Sequence, residues 1–123
     1  MGVGVQRVVK AGALRILSGT NVPKSDPPPA GFTARIASQT CVMGIIQPRT
    51  APSSSTVTFL GASRVTGPFA PIVDDTNTPL AAINWDGTNP IAVPAMAAKY
   101  PYLTIQTDTN ETGNLDIDWV MKS

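Results

Sequence analysis

The side chains of this sequence that could move a proton or hold a metal are few and poorly spaced for either task. Histidine is absent from the 123 residues, which removes the commonest general base, the serine triad and most zinc sites. The carboxylates are Asp26, Asp74-Asp75, Asp86, Asp108, Asp116 with Asp118, and a lone glutamate, Glu111, in the turn TDTNETGN. A glycosidase needs two carboxylates at a set separation, and nothing marks any two of these as partners. Asp74 and Asp75 lead into a TNT turn, where short carboxylates ordinarily cap backbone N–H groups. Asp116 and Asp118 lie two apart on an extended segment and therefore on one face. They repel unless water, a cation such as calcium, or an arginine screens them, and a solvated face, a calcium site and an intermolecular ion pair are the readings open. The single cysteine, Cys41, sits in the apolar run CVMGII and reads as a small buried hydrophobe. No EF-hand loop and no glycine-rich phosphate loop is present. The expectation is a non-enzymatic protein with no metal and no cofactor.

One stretch has the makings of a ligand site. In Asn84-Trp85-Asp86-Gly87-Thr88-Asn89, Trp85 has the shape to stack on a sugar ring while Asp86 and Asn89 hydrogen-bond its hydroxyls. The competing reading is a tryptophan that anchors its loop on the core or at an interface.

The elements that must position these residues are strands. Twelve prolines and ten glycines interrupt the chain too often for long helices, and only Ala95–Lys99 has helical composition, enough for one turn. Elsewhere the apolar residues recur in steps of two. Val57 and Phe59, Leu103 and Ile105, and Leu115, Ile117, Trp119 and Met121 all fall on core-facing positions of their segments. Further strand candidates are Val5–Val9, Ala13–Leu17, Phe32–Ala37, Val42–Gln47, Ala70–Val73, Leu80–Ile83 and Ile91–Val93. Many short strands at close spacing predict an all-β fold, an antiparallel β-sandwich of jelly-roll-like kind, with a barrel as the alternative.

The proline-rich stretch NVPKSDPPPAG favours a stiff extended backbone. It divides the chain into an N-terminal arm and linker, 1–31, and a sandwich body, 32–123. The arm's apolar segments, VQRVV and ALRIL, are too short to fold alone. They must join the body's own sheets or those of a neighbouring subunit.

Charge is distributed unevenly along the chain. Residues 1–64 carry seven basic side chains and one acid, a balance of +6, while residues 65–123 carry two basic and seven acidic ones, a balance of −5. Either the fold interleaves the two halves, or the basic half meets an acidic partner. The basic residues are scattered and no aromatics interleave with them, so nucleic acid is not the expected partner. No apolar run is long enough for a membrane span or a signal peptide, so use in a cytoplasm, without membrane association, is expected.

The order TFLGAS, TGPFAPIVDD, KYPYLTIQT and LDIDWVMKS resembles small β-sandwich structural proteins of tailed bacteriophages, above all the decoration, or cement, proteins of their capsids. The resemblance covers roughly residues 56–123. It implies a virion protein, assembled in the host cytoplasm, that sits on the capsid surface. It also implies the major capsid protein as partner, stabilisation of the shell by bridging its subunits, and a homo-oligomer, with a trimer favoured. On that reading Arg7, Lys10, Arg15 and Arg35 are the residues expected to face the shell. The alternative is a carbohydrate- or receptor-binding module of a phage tail appendage, similar to discoidin-like sandwiches, with Trp85, Asp86 and Asn89 as its site.

Overall fold

The computed structural model describes residues 9–23 and 27–123. Two antiparallel sheets face each other. The first has the strand order β1 (Val9–Ile16), β9 (Leu115–Lys122), β3 (Met43–Pro48), β7 (Ile91–Ala92). The second has the order β2 (Ile36–Ala37), β8 (Tyr102–Thr107), β4 (Thr56–Ala62), β5 (Ala70–Pro71), with β6 (Ile83–Asn84) also pairing with β4. β5 and β6 pair antiparallel with the two ends of β4, through Leu60↔Pro71 and Val57↔Ile83, and so form one interrupted edge. Counted that way, the strands pair as the two arms of one long hairpin: β1 with β9, β2 with β8, β3 with β7, β4 with β5 and β6. Winding this hairpin brings β9 against β3 and β8 against β4. The result is the double-sheet jelly roll that the strand spacing predicts.

The alternation read from the sequence defines the core. Val57, Phe59, Leu103, Ile105, Leu115, Ile117, Trp119 and Met121 are all buried, with Leu14, Ile16, Ile36, Ile46 and Ile72 packed against them. Each such side chain contributes roughly 1.5–3 kcal/mol on burial, which is enough for a core without staples. Cys41 is a buried free thiol, as expected. Ala95–Lys99 forms a single 3-10 turn.

The N-terminal segments differ from expectation. In place of two separate pieces there is one strand, Val9–Ile16, continuous through Gly12 and paired with β9 along its whole length, from Val9↔Lys122 to Ile16↔Leu115. Of the two places open to the arm, these residues occupy the body's own sheet, because Leu14 and Ile16 complete its core face. Gly12 sits against Trp119 and Thr33, and a Cβ there would lie 2.7 Å from the Thr33 methyl carbon. Val5–Val8 lie outside the described residues. The open edge of β1 is partly covered by Thr33, whose N–H donates to the Ala13 carbonyl at 2.7 Å. Its hydroxyl in turn accepts the Trp119 indole N–H at 2.9 Å. Blocking an edge in this way limits pairing with other chains. The expected strand Phe32–Ala37 is reduced to Ile36–Ala37, since residues 32 and 33 follow this edge instead.

Candidate functional site

The outer face of the first sheet is divided in two. Cross-strand partners share a face, so the register gives its rows: Val9, Lys122 and Met43; Ala11, Val120, Ile45 and Ala92; Ala13, Asp118 and Gln47; Arg15 and Asp116. Apart from Lys122 the first two rows are apolar, and they are open to solvent. Val9 is 59% exposed, Met43 56% and Ile45 41%. Met43, Ile45, Val120 and the Lys122 stem line a shallow groove of about 360 Å³.

The other rows are charged and internally answered. Arg15 grips Asp116 with Nε at 2.7 Å and Nη2 at 3.0 Å. Arg49 donates to both Asp118 oxygens, the shortest contact being 2.9 Å, and stands 3.9 Å from Asp116. The Phe32 ring lies under both guanidiniums, 4.4 Å from Arg15 Cζ and 5.5 Å from Arg49 Cζ, within cation–π range. The hydrogen bonds from Arg15 hold the Asp116 carboxyl below the usual carboxylate range, while those that Arg49 donates to Asp118 raise the Arg49 guanidinium above its ordinary value. The Asp116–Asp118 pair is therefore screened by arginines, and these come from the same chain, in place of a solvated face or an intermolecular ion pair. These contacts pair two basic side chains of the first half of the chain with two acids of the second.

The basic residues expected to face a shell are not brought together. Arg7 lies outside the described residues. Arg15 is held in the lattice just described. Lys10 alternates to the core side of β1, opposite Met121 at the open end of the sheet. Arg35 immediately precedes β2 of the other sheet, and its Cζ lies 5.8 Å from the Phe69 ring centroid. The three described ones, Lys10, Arg15 and Arg35, thus occupy separate positions; on β1 this is because strand residues alternate between the two faces, which parts Lys10 from Arg15.

The candidate sugar loop is corrected in one respect. Trp85 is only 6% exposed and packs in the core cluster, with its indole N–H donating to the Ser54 hydroxyl at 3.2 Å. Its ring faces are covered and cannot stack on a ligand. Asp86 and Asn89 remain on the exterior without it.

Glu111, read from the sequence only as a turn residue, is buried. It is 3% exposed and ties three loops together. Its N–H donates to the Thr20 carbonyl, its carbonyl accepts from Gly19 N–H, and Oε1 accepts the Ser53 N–H at 2.9 Å. Oε2 is buried and has no hydrogen-bond partner among the described residues. The group borders a polar cleft of about 200 Å³ lined also by Thr50, Ser53, Thr112 and Asn114. The only available signal was that this is the chain's one glutamate, set in a turn otherwise built from Asp, Asn, Thr and Gly.

No protein-family model matches the chain, and neither does any curated protein sequence. The fold matches the crystal structure of the SPBc2 prophage-derived protein YomS, with a TM-score of 0.60 over 100% of both chains. Sequence identity is 9%, so the likeness is one of fold. It agrees with the all-β sandwich read from the strand pattern.

Proposed function

We propose that this chain is a non-enzymatic structural protein of a phage particle, a decoration subunit that attaches to the outside of the capsid and stabilises it by bridging shell subunits. The observation that carries this reading is the apolar half-face of the first sheet. Contiguous exposed apolar surface is uncommon on monomeric soluble proteins and marks contact sites. Here it adjoins charges that already satisfy one another, so the half-face rather than the ion-pair lattice is the part left for a partner. Lys122, in the same row as Val9 and Met43, suits a shell surface that offers apolar side chains beside a carboxylate. Two further facts support the reading: the fold is shared with a prophage-derived protein, and the sequence contains no histidine and one glutamate. Self-association, with a trimer favoured, belongs to the same proposal, because several linked weak contacts raise one another's effective concentration.

The test is occupancy on purified capsids. Met43→Glu with Val120→Glu should abolish binding while leaving the circular-dichroism spectrum unchanged, and Lys122→Glu should weaken it. Unchanged occupancy of the Met43→Glu, Val120→Glu variant sinks the proposal.

A further inference from the structure

A second recess lies on the opposite side of the sandwich, on the outer face of the second sheet. Leu60 and Thr104, which are cross-strand partners on that face, form its floor. Val22, Pro23, Ala34, Phe69 and Thr66 wall it, and Arg35 projects beside them. Arg35 immediately precedes Ile36, the first residue of β2 paired with β8, and lines the same recess as Thr104. The Arg35 Nε is buried and has no hydrogen-bond partner among the described residues. The other arginines described in ion pairs, Arg15 and Arg49, have carboxylates on them. A buried donor left without an acceptor is costly, the more so on a charged group.

We infer that this recess is a binding site for a carboxylate carried on an apolar stem, supplied by a protein partner. The charge calls for an anion. A single planar guanidinium in a recess that two threonines also line suits a planar monoanion, whereas phosphate sites gather several N–H donors. The walls of Val22, Pro23, Leu60 and Phe69 require an apolar segment next to the charge. The recess holds about 230 Å³, less than the roughly 300–1,000 Å³ of sites for free cofactors and drug-sized ligands, so the occupant is about one side chain. A glutamate side chain and the C-terminus of a chain share this chemistry. With the apolar half-face on the other sheet, the molecule then has two binding faces on opposite sides, as a bridging protein requires. Naming the shell as the source of the carboxylate rests on the function proposed above; the chemistry of the recess does not.

The experiment follows the Arg35 Nε–H resonance of the full chain, assigned by its loss in Arg35→Lys. Three probes are added in turn: acetyl-Leu-Glu-amide, acetyl-Ala-Leu with a free C-terminus, and inorganic phosphate. At least one carboxylate peptide should shift this resonance saturably. The matched Gln or C-terminal amide peptide should bind at least about tenfold more weakly, the order set by one charge-assisted hydrogen bond. Binding should weaken similarly in Arg35→Lys and in Phe69→Ala, followed there by neighbouring backbone amides. A stronger response to the Glu peptide assigns a side chain as occupant, and a stronger response to the free acid assigns a chain terminus. Equal binding of the neutral peptides, tighter binding of phosphate, or no saturable shift with either carboxylate overturns the inference. Failure here leaves the capsid test of Met43→Glu, Val120→Glu untouched, and failure there leaves the recess standing, so the two outcomes are separable.

Discussion

Arg15 and Asp116 stand directly opposite each other on β1 and β9, 101 residues apart in the chain, joined by two hydrogen bonds of 2.7 and 3.0 Å. The pair lies where the first described strand meets the last. It is partly shielded, with side-chain exposures of 29% and 22%, and Phe32 covers the guanidinium. It reports on whether the N-terminal strand is docked.

This pair predicts a sign for the pH dependence of stability. The Asp116 carboxyl is held below its unfolded value by the Arg15 hydrogen bonds. Its contribution is therefore full above the unfolded aspartate value of about 3.9 and is lost as pH falls through the folded-state value. Asp116→Asn should lower stability at pH 7, and the gap to the parent protein should close towards pH 2. Urea titrations across that range measure it; a gap that stays constant would contradict the assignment.

Asp74 and Asp108 act in the same direction. The Thr76 hydroxyl bonds Asp74, the Thr56 N–H bonds Asp108, and both carboxyls are lowered. Acid should therefore loosen the loops at 74–78 and 55–56 over the same window. Amide hydrogen exchange at Thr76, Thr78 and Thr56 should rise as pH is lowered by more than at Leu103 or Ile117, once intrinsic rates are divided out.

Trp85 offers a test between packing and ligand contact. As a core residue its replacement by alanine should cost roughly 3–5 kcal/mol, seen as a lower denaturation midpoint. A Trp85→Ala protein of unchanged stability would place the ring outside the core.

Glu111 should behave asymmetrically. Glu111→Ala removes the acceptor for Ser53 N–H and should destabilise by about 1–3 kcal/mol. Glu111→Gln keeps a carbonyl oxygen for that bond and replaces the oxygen that has no partner. It should be less destabilising than Glu111→Ala by thermal denaturation.

Gly61 is required for space. A Cβ at this position would lie 2.5 Å from the Tyr100 ring, on the core face of β4. Gly61→Ala should cost about 1–3 kcal/mol through displacement of that ring, and the additional change Tyr100→Ala should recover part of the Gly61→Ala penalty in a double-mutant cycle.

Much of the architecture was legible in local pattern. The alternation of Val57 and Phe59, Leu103 and Ile105, and Leu115 to Met121 is a property of a few adjacent residues, and a half-buried strand imposes it directly. The proline and glycine spacing excluded long helices for equally local reasons. The interruption read between Val9 and Ala13 was misleading. Lys10, Ala11 and Gly12 lack the apolar pattern of a buried strand, yet pairing with β9 and the need for a small residue against Trp119 keep the strand continuous.

What the sequence by itself determined was the kind of element, the inward-facing residues of the longer strands, the lack of a histidine-based site and the uneven charge along the chain. The tertiary structure decided how those charges are spent: Arg15 and Arg49 on Asp116 and Asp118, Arg35 beside an open recess, Lys122 at the end of an apolar strip. It also decided that Trp85 and Glu111 are buried. The reason is the range of the interactions. Strand alternation repeats every two residues and is written locally. The partner of each side chain across the sheets is set by a jelly-roll winding that joins residues a hundred positions apart, and no local pattern encodes that pairing.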